Sequence, residues 1–313
     1  MNKTIVICGP TSTGKTSLAI NLCKAFNGEI ISADSRQIYK YMDIGTGKLP
    51  VDRPNPQIER FDGLWKISKI PIYMYDVVSP AKTYSVYDYS KKAKNELTSI
   101  QKRQKIPFIV GGTGFYIDVL TGRKSVANVP PNFALRTELE KNSLEDLQRT
   151  LKNLNEEEYK RVDLKNRARL VRSIEILKSK KSFFAVPPPN EEEVKVLLIG
   201  LTAPRTYLYE KADLWVEKIV GKGLILETKT LLDMGFSETI PMKGLVYSSA
   251  VEYLDEKITM EEMKQKIKWD IHGYIRRQLT WFNRNPEIMW FNIAKKGFDI
   301  EVLKTVQLFL YGH

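Results

Sequence analysis

The chain has 313 residues, is 42% hydrophobic and contains no apolar run long enough to cross a bilayer, which excludes a membrane-spanning helical protein. Its 49 Lys and Arg against 37 Asp and Glu leave a net charge of +12. Cys8 and Cys23 are the only cysteines, in no metal-ligand spacing, and His272 and His313 cannot build a metal site between them. The first strand pattern starts almost at the N-terminus, so no signal peptide and a reducing, cytoplasmic setting are expected.

The charge is regional: +7 over residues 1–120, +6 over 121–190, −6 over 191–263 and +6 over 264–296. An acidic stretch between basic ones suggests a polyanionic partner such as nucleic acid, although a basic total also serves solubility.

Thr4-Ile5-Val6-Ile7-Cys8 reads as a buried strand and is followed by Gly9-Pro10-Thr11-Ser12-Thr13-Gly14-Lys15-Thr16, a full GxxxxGK[ST] phosphate loop. A helix with Leu18, Leu22 and Phe26 on one face comes next, completing the strand–loop–helix unit the motif needs. The glycines let backbone N–H groups curl around a phosphate, Lys15 would contact the terminal phosphates, and the Thr16 hydroxyl would hold Mg²⁺. Glu29 to Asp34 reads as a second buried strand ending in a carboxylate, and Ser35 to Tyr39 as a loop entering a short helix. Ile44 to Lys48 is a glycine-rich loop, and Ile70 to Asp76 is another apolar run ending in Asp. A helix carrying Tyr84, Tyr87, Ala93 and Leu97 precedes the strand Ile106 to Val110, which runs into Gly111-Gly112-Thr113-Gly114 and a further helix. Alternating strands and helices with glycine turns indicate a parallel sheet.

The texture changes near residue 121. Pro130-Pro131 breaks the chain, and residues up to about 181 read as helices. There Lys165, Arg169 and Arg172 are expected on one face, with Leu170, Ile174 and Leu177 on the apolar one. Pro187-Pro188-Pro189 reads as a stiff linker, and Val194 to Leu201 as a return to the sheet. The remainder reads as helical, with Arg276 to Arg284 mixing charge and aromatics, and then a less patterned tail. The expected architecture is a phosphate-loop (P-loop) NTPase-like α/β core, residues 1–120 and 191–313, with a parallel sheet flanked by helices, plus an all-helical insertion, 121–190.

Several residues keep more than one reading at this stage. Asp34 is compatible with a Mg²⁺ ligand, a general base or a strand-end cap. Asp76 is better placed for a structural role. Thr113 suits either a hydrogen bond to a phosphate or a plain helix N-cap. Trp281, Phe282 and Trp290 are more often core than base-stacking platforms.

GPTSTGKTSLA, ISADSRQIYKYMDIGTGK, VGGTGFYI, RLVRSIEI and RRQLTWF occur in that order over roughly residues 4–284. In this the chain resembles the tRNA dimethylallyltransferases (tRNA isopentenyltransferases). The resemblance implies that Gly9, Pro10, Thr11, Ser12, Thr13, Gly14, Lys15 and Thr16 hold the diphosphate of dimethylallyl diphosphate with Mg²⁺ rather than ATP. It implies that Asp34 is the general base for an adenosine amine 3′ of the anticodon, and that Lys15 and Thr113 neutralise the leaving group. Asp34, Ser35, Arg36, Gln37 and Thr113 would surround the target nucleotide. Arg136, Ala168, Arg169, Leu170, Val171 and Arg172 would grip the anticodon stem-loop, with Arg276, Arg277 and Gln278 as a further contact block. The protein is expected to act as a monomer, away from membranes.

The chain departs from the family pattern in four places. Trp215 stands where an arginine usually helps hold the diphosphate, which Arg205 or Lys211 would then compensate. Val246-Tyr247-Ser248-Ser249 replaces a Gly-Tyr-Lys/Arg-Glu/Gln segment, Ile271-His272 a Thr-Arg pair, and Ile72-Tyr73 a His pair. Two other readings remain: a small-molecule or nucleotide kinase, and a tRNA-binding relative whose catalysis has lapsed.

Overall fold

The computed structural model describes residues 3–49, 56–179 and 195–312. These residues fall into two compact units, one up to Lys124 and again from Lys195, the other starting at Ser125. The Pro187–Pro189 linker lies outside the described residues.

The first unit opens with β1 (Lys3–Cys8), whose β-branched run is almost wholly buried, and the phosphate loop leads into α1 (Lys15–Phe26). Asn27, at φ 53°, ends that helix in the left-handed region and turns the chain into β2 (Gly28–Ser32). An antiparallel hairpin, β3 (Ile58–Phe61) and β4 (Leu64–Ile67), then feeds β5 (Ile70–Tyr73). Ser85 and Asp88 form a capping box that starts α2 (Val86–Lys102), followed by β6 (Ile106–Val110) and α3 (Gly114–Leu120). After the second unit come β7 (Lys195–Thr202), α8 (Arg205–Gly221), α9 (Leu224–Asp233), α10 (Leu245–Leu254), α11 (Met260–Phe282), β8 (Met289–Asn292) and α12 (Phe298–Tyr311), the numbering leaving α4–α7 to the second unit.

The eight strands form one sheet in the order β3-β4-β5-β2-β6-β1-β7-β8, parallel from β5 to β8. Because side chains alternate across a strand, Val6, Cys8, Ile31, Ile109 and Leu198 face one core, shared with α2, α3 and α8–α11. Ile5, Ile7, Ile30, Phe108 and Ile199 face the other, shared with α1 and α12. The C-terminal ends of β1, β2 and β6 therefore meet at the middle of the sheet, where ligands bind in open α/β folds.

The short helix expected over residues 35–39 is a series of turns instead. Its first amides are committed to side chains: Ser35 N–H donates to Thr113 Oγ1 at 3.0 Å and Arg36 N–H to Asp34 Oδ1 at 2.9 Å. The run 70–76 leaves the sheet at Tyr73, since Met74 and Asp76 take φ of 72° and 53°. The C-terminal tail is more ordered than its sequence suggested, containing β8 and α12.

The second unit contains α4 (Phe133–Glu140), α5 (Leu144–Leu154), α6 (Glu156–Arg161) and α7 (Arg167–Lys178) around Leu139, Leu147, Leu151, Leu170 and Ile174. Lys165 does not share a helical face with Arg169 and Arg172, because Asn166 caps α7 after it, accepting from Arg169 N–H at 3.2 Å. No helix among the described residues is long and apolar enough to cross a membrane.

Candidate active site

The phosphate loop needs its glycine at position 9, where φ is 132° and a Cβ would stand 2.3 Å from Leu201 O. Ser12 and Gly14 also take positive φ, 64° and 75°, which curls the loop. α1 starts with no side-chain cap and no acidic residue in its first turn, so its N-terminal amides suit an anion. Within the loop, Thr13 Oγ1 and Lys15 Nζ both donate to Pro10 O, at 2.8 and 2.6 Å. Ser12 Oγ is buried with no hydrogen-bond partner among the described residues, a hydroxyl left for a ligand oxygen.

A single cleft is lined by Thr11, Ser12, Lys15, Thr16, Asp34 and Arg36 on its polar side. Burial pushes the Lys15 ammonium down to about 8, against the attraction of Asp34. Burial raises Asp34, opposed by the Arg36 amide and the charges of Lys15 and Arg36. Both groups line this cleft, near enough for each charge to act on the other. Thr16 lies at the start of α1 and its hydroxyl hydrogen-bonds the buried Tyr75 phenol.

Thr113 holds the N-cap position of α3, yet its side chain makes no cap bond. Its hydroxyl instead accepts the Ser35 amide and hydrogen-bonds Tyr274 of α11. Thr113 N–H donates to Ala33 O at 3.1 Å, and a Cβ at Gly111 would come 2.1 Å from that same oxygen, so the turn admits only glycine there. Asp34 and Thr113 are thereby locked onto neighbouring strand ends.

The other wall is the 44–47 turn, and the residues that hold it were invisible in the sequence. Glu227 of α9 accepts the amides of Asp43, Ile44 and Gly45 at 2.9, 2.8 and 3.0 Å, and the Tyr247 hydroxyl at 2.7 Å. Beneath it, fully buried Lys48 binds Asp43 and Asp76, and Asp76 is not among the residues lining the cleft. Gln37 is buried, its amide oxygen accepting from Ser32 Oγ at 2.8 Å and its nitrogen donating to Thr46 O and Gly47 O, both at 3.3 Å. Leu49, Trp215, Leu245, Val246 and Ile271 give the cleft an apolar lining.

Among the described residues the cations lining this cleft are Lys15 and Arg36; Arg205 and Lys211 are exposed and line none of it. Trp215 does line it, at the position where the resemblance places an arginine. His272 lies inside α11, 2.8 Å from Asp213 Oδ1 and stacked on Tyr209 at 4.0 Å. On the same helix Arg276 and Arg277 are exposed, whereas Gln278 is 4% exposed, with its amide bonded to Thr11 and Gly112.

In the helical unit, Arg136 and Arg172 converge on the buried Glu175. Its oxygens accept Arg136 Nη2 at 2.9 Å, Arg172 Nη1 at 2.5 Å and the Asn132 amide at 2.5 Å. Burial alone would raise this carboxyl, yet these donors hold it below the usual range. Both arginines remain about one-third exposed, at 34% and 32%. Ala168 and Arg169 are exposed, Val171 is half-buried and Leu170 belongs to the core.

The family model for IPP transferase matches residues 37–285, and one for isopentenyl transferase matches residues 2–60. The chain belongs to the IPP transferase family. Its relatives in that family include a tRNA dimethylallyltransferase of Carboxydothermus hydrogenoformans, 36% identical over 95% of this chain and 94% of that one. One from Clostridioides difficile is 36% identical over 98% and 96%. A crystal structure of an IPP transferase family member, the tRNA isopentenylpyrophosphate transferase of Bacillus halodurans, superposes with a TM-score of 0.70 at 29% identity, covering 100% of this chain and 96% of that one. A eukaryotic dimethylallyltransferase structure shares the fold, with a TM-score of 0.77 at 21% identity over 99% of this chain and 80% of that one.

Proposed function

We propose that this chain transfers the dimethylallyl group of dimethylallyl diphosphate to tRNA, at the exocyclic amine of the adenosine 3′ of the anticodon. The observation that carries this is one cleft joining an anion-binding loop, a carboxylate with a raised pKa and an apolar lining. A diphosphate, an amine proton and a five-carbon chain each find a matching surface there.

Lys15, the loop amides and the Thr113 hydroxyl bind and neutralise the diphosphate. The adenine nitrogen attacks C1 of the allyl group as the C1–O bond breaks and its electron pair leaves with the diphosphate. Asp34 takes the amine proton, which matters because the nitrogen lone pair is delocalised into the ring. Its raised pKa strengthens it as a base. The Thr16 hydroxyl and the orphaned Ser12 Oγ fit a Mg²⁺–diphosphate, since Mg²⁺ uses few protein ligands beside phosphate oxygens and water. When bound, Mg²⁺ supplies further neutralisation of the leaving group, with Thr16 holding it.

The target base must leave its stack to reach Asp34, with Arg36 lining the cleft, Ser35 tied to Thr113 beside it and Gln37 fixing the wall. Arg136, Arg169, Arg172, Arg276 and Arg277 contact the RNA backbone, the usual way protein arginines position a single-stranded loop. The chain does this as a monomer. Calorimetric titration with Mg²⁺ and either dimethylallyl diphosphate or ATP tests the reading. Tight binding of the former and weak binding of the latter are expected; the reverse order, with ATP turnover, would make the protein a kinase.

A further inference from the structure

The family resemblance implies that Gln278 belongs to a block of tRNA contacts; its surroundings give it a further task. The side chain is 4% exposed; Oε1 accepts Thr11 N–H at 2.9 Å and Nε2 donates to Gly112 O at 3.0 Å. It thus spans the phosphate loop and the Gly111–Gly112–Thr113 turn, the two segments that frame the polar side of the cleft. The fit is close, because a Cβ at Gly112 would stand 2.1 Å from Gln278 Nε2.

Neighbouring positions on the same face of α11 repeat the theme. Tyr274, one turn earlier, hydrogen-bonds the Thr113 hydroxyl. Trp281, one turn later, donates to Asp118 Oδ2 at 3.0 Å and packs so tightly on Gly114 that a Cβ there would come 2.1 Å from its ring. The Thr113 hydroxyl also accepts the Ser35 amide at 3.0 Å and donates to Ser35 Oγ at 3.3 Å, so the turn is tied to the end of β2 as well as to α11. Arg276 and Arg277, beside Gln278 in sequence, are exposed and keep their reach to RNA.

We infer that Gln278 is a positioning residue of the diphosphate site. It fixes the spacing between the phosphate loop and the Thr113 turn, so that the loop amides, Lys15 and the Thr113 hydroxyl close on one diphosphate. This rests on the donor-site reading given above.

The test uses the full-length protein, wild type and the Gln278→Met and Gly112→Ala variants. Inorganic diphosphate with Mg²⁺ is titrated calorimetrically without RNA, and KM is measured separately for dimethylallyl diphosphate and tRNA. Met keeps the volume of Gln and loses both hydrogen bonds, while Ala at position 112 displaces the same amide without altering it. Both variants are expected to raise the diphosphate Kd and the donor KM by about 10-fold, leaving two buried groups unpaired. The tRNA KM should stay unchanged, and the double variant should be no worse than the worse single one. A raised tRNA KM with unchanged diphosphate binding would overturn the inference, and so would variants that match wild type throughout. A wild-type protein that binds no diphosphate would instead overturn the donor reading itself, and the inference with it.

Discussion

Lys48→Met removes a cation from beneath the cleft wall, where its loss has nowhere to be absorbed. The ammonium is fully buried and spends its three donors on Tyr39 O at 2.6 Å, Asp43 Oδ1 at 2.9 Å and Asp76 Oδ1 at 2.5 Å. Asp76 also accepts Trp65 Nε1 at 2.6 Å, so its charge is pinned in place. Deleting one partner of a buried ion pair costs about 3–5 kcal/mol. The carboxylates of Asp43 and Asp76 keep 14% and 16% of their surface in solvent, which favours the lower end. A loss of about 3 kcal/mol lowers the Tm of a unit this size by roughly 6–12 °C. Thermal unfolding followed by circular dichroism measures this, with Asp76→Asn and the double variant completing a cycle. The pair should couple by about 1–3 kcal/mol, because Lys48→Met costs less once Asp76 is already neutral. Strict additivity, or a Tm within about 2 °C of wild type, would refute the claim that Lys48 anchors this wall.

Other consequences follow from the same geometry. Transfer requires Asp34 ionised and Lys15 protonated, so kcat/KM should fall as acid protonates Asp34, above the ordinary carboxylate value, and again as Lys15 loses its proton near 8; a profile with no alkaline limb would contradict the role of Lys15. Glu175→Ala should destabilise the helical unit by about 3 kcal/mol and speed hydrogen exchange over residues 125–179 while sparing the other unit. Because its carboxyl is held below the usual range, that stabilisation is present above the unfolded-state pKa and disappears as pH falls through the folded one, and an acid-insensitive unit would count against the assignment. Trp215→Arg adds a cation to the cleft lining and should tighten diphosphate binding about 10-fold in titration; an unchanged Kd would mean that position 215 does not face the diphosphate.

What could be read from the sequence was local. The phosphate loop, the buried strands β1, β2, β6 and β7 and the helical character of the insertion all follow from short-range pattern. β3 and β4 were missed because four-residue strands alternate too briefly, although the Asp62-Gly63 pair between them is a hairpin signal. α12 was missed as well, although Val302, Val306 and Leu310 recur at helical spacing. The supports of the site were not legible at all. Glu227 meets its amides across 182 to 184 residues, and Gln278 meets Thr11 across 267, distances at which no pattern in one chain names a partner. A family motif marked Gln278 as important, and only the fold showed which neighbours it serves.

The most direct measurement incubates the protein with dimethylallyl diphosphate, Mg²⁺ and unmodified tRNA, then digests the RNA and analyses its nucleosides by mass spectrometry. The account predicts dimethylallyl-modified adenosine next to the anticodon, formed about 10²–10⁴-fold more slowly by Asp34→Asn. Unmodified tRNA from the wild-type protein, or near-normal turnover by Asp34→Asn, would contradict it.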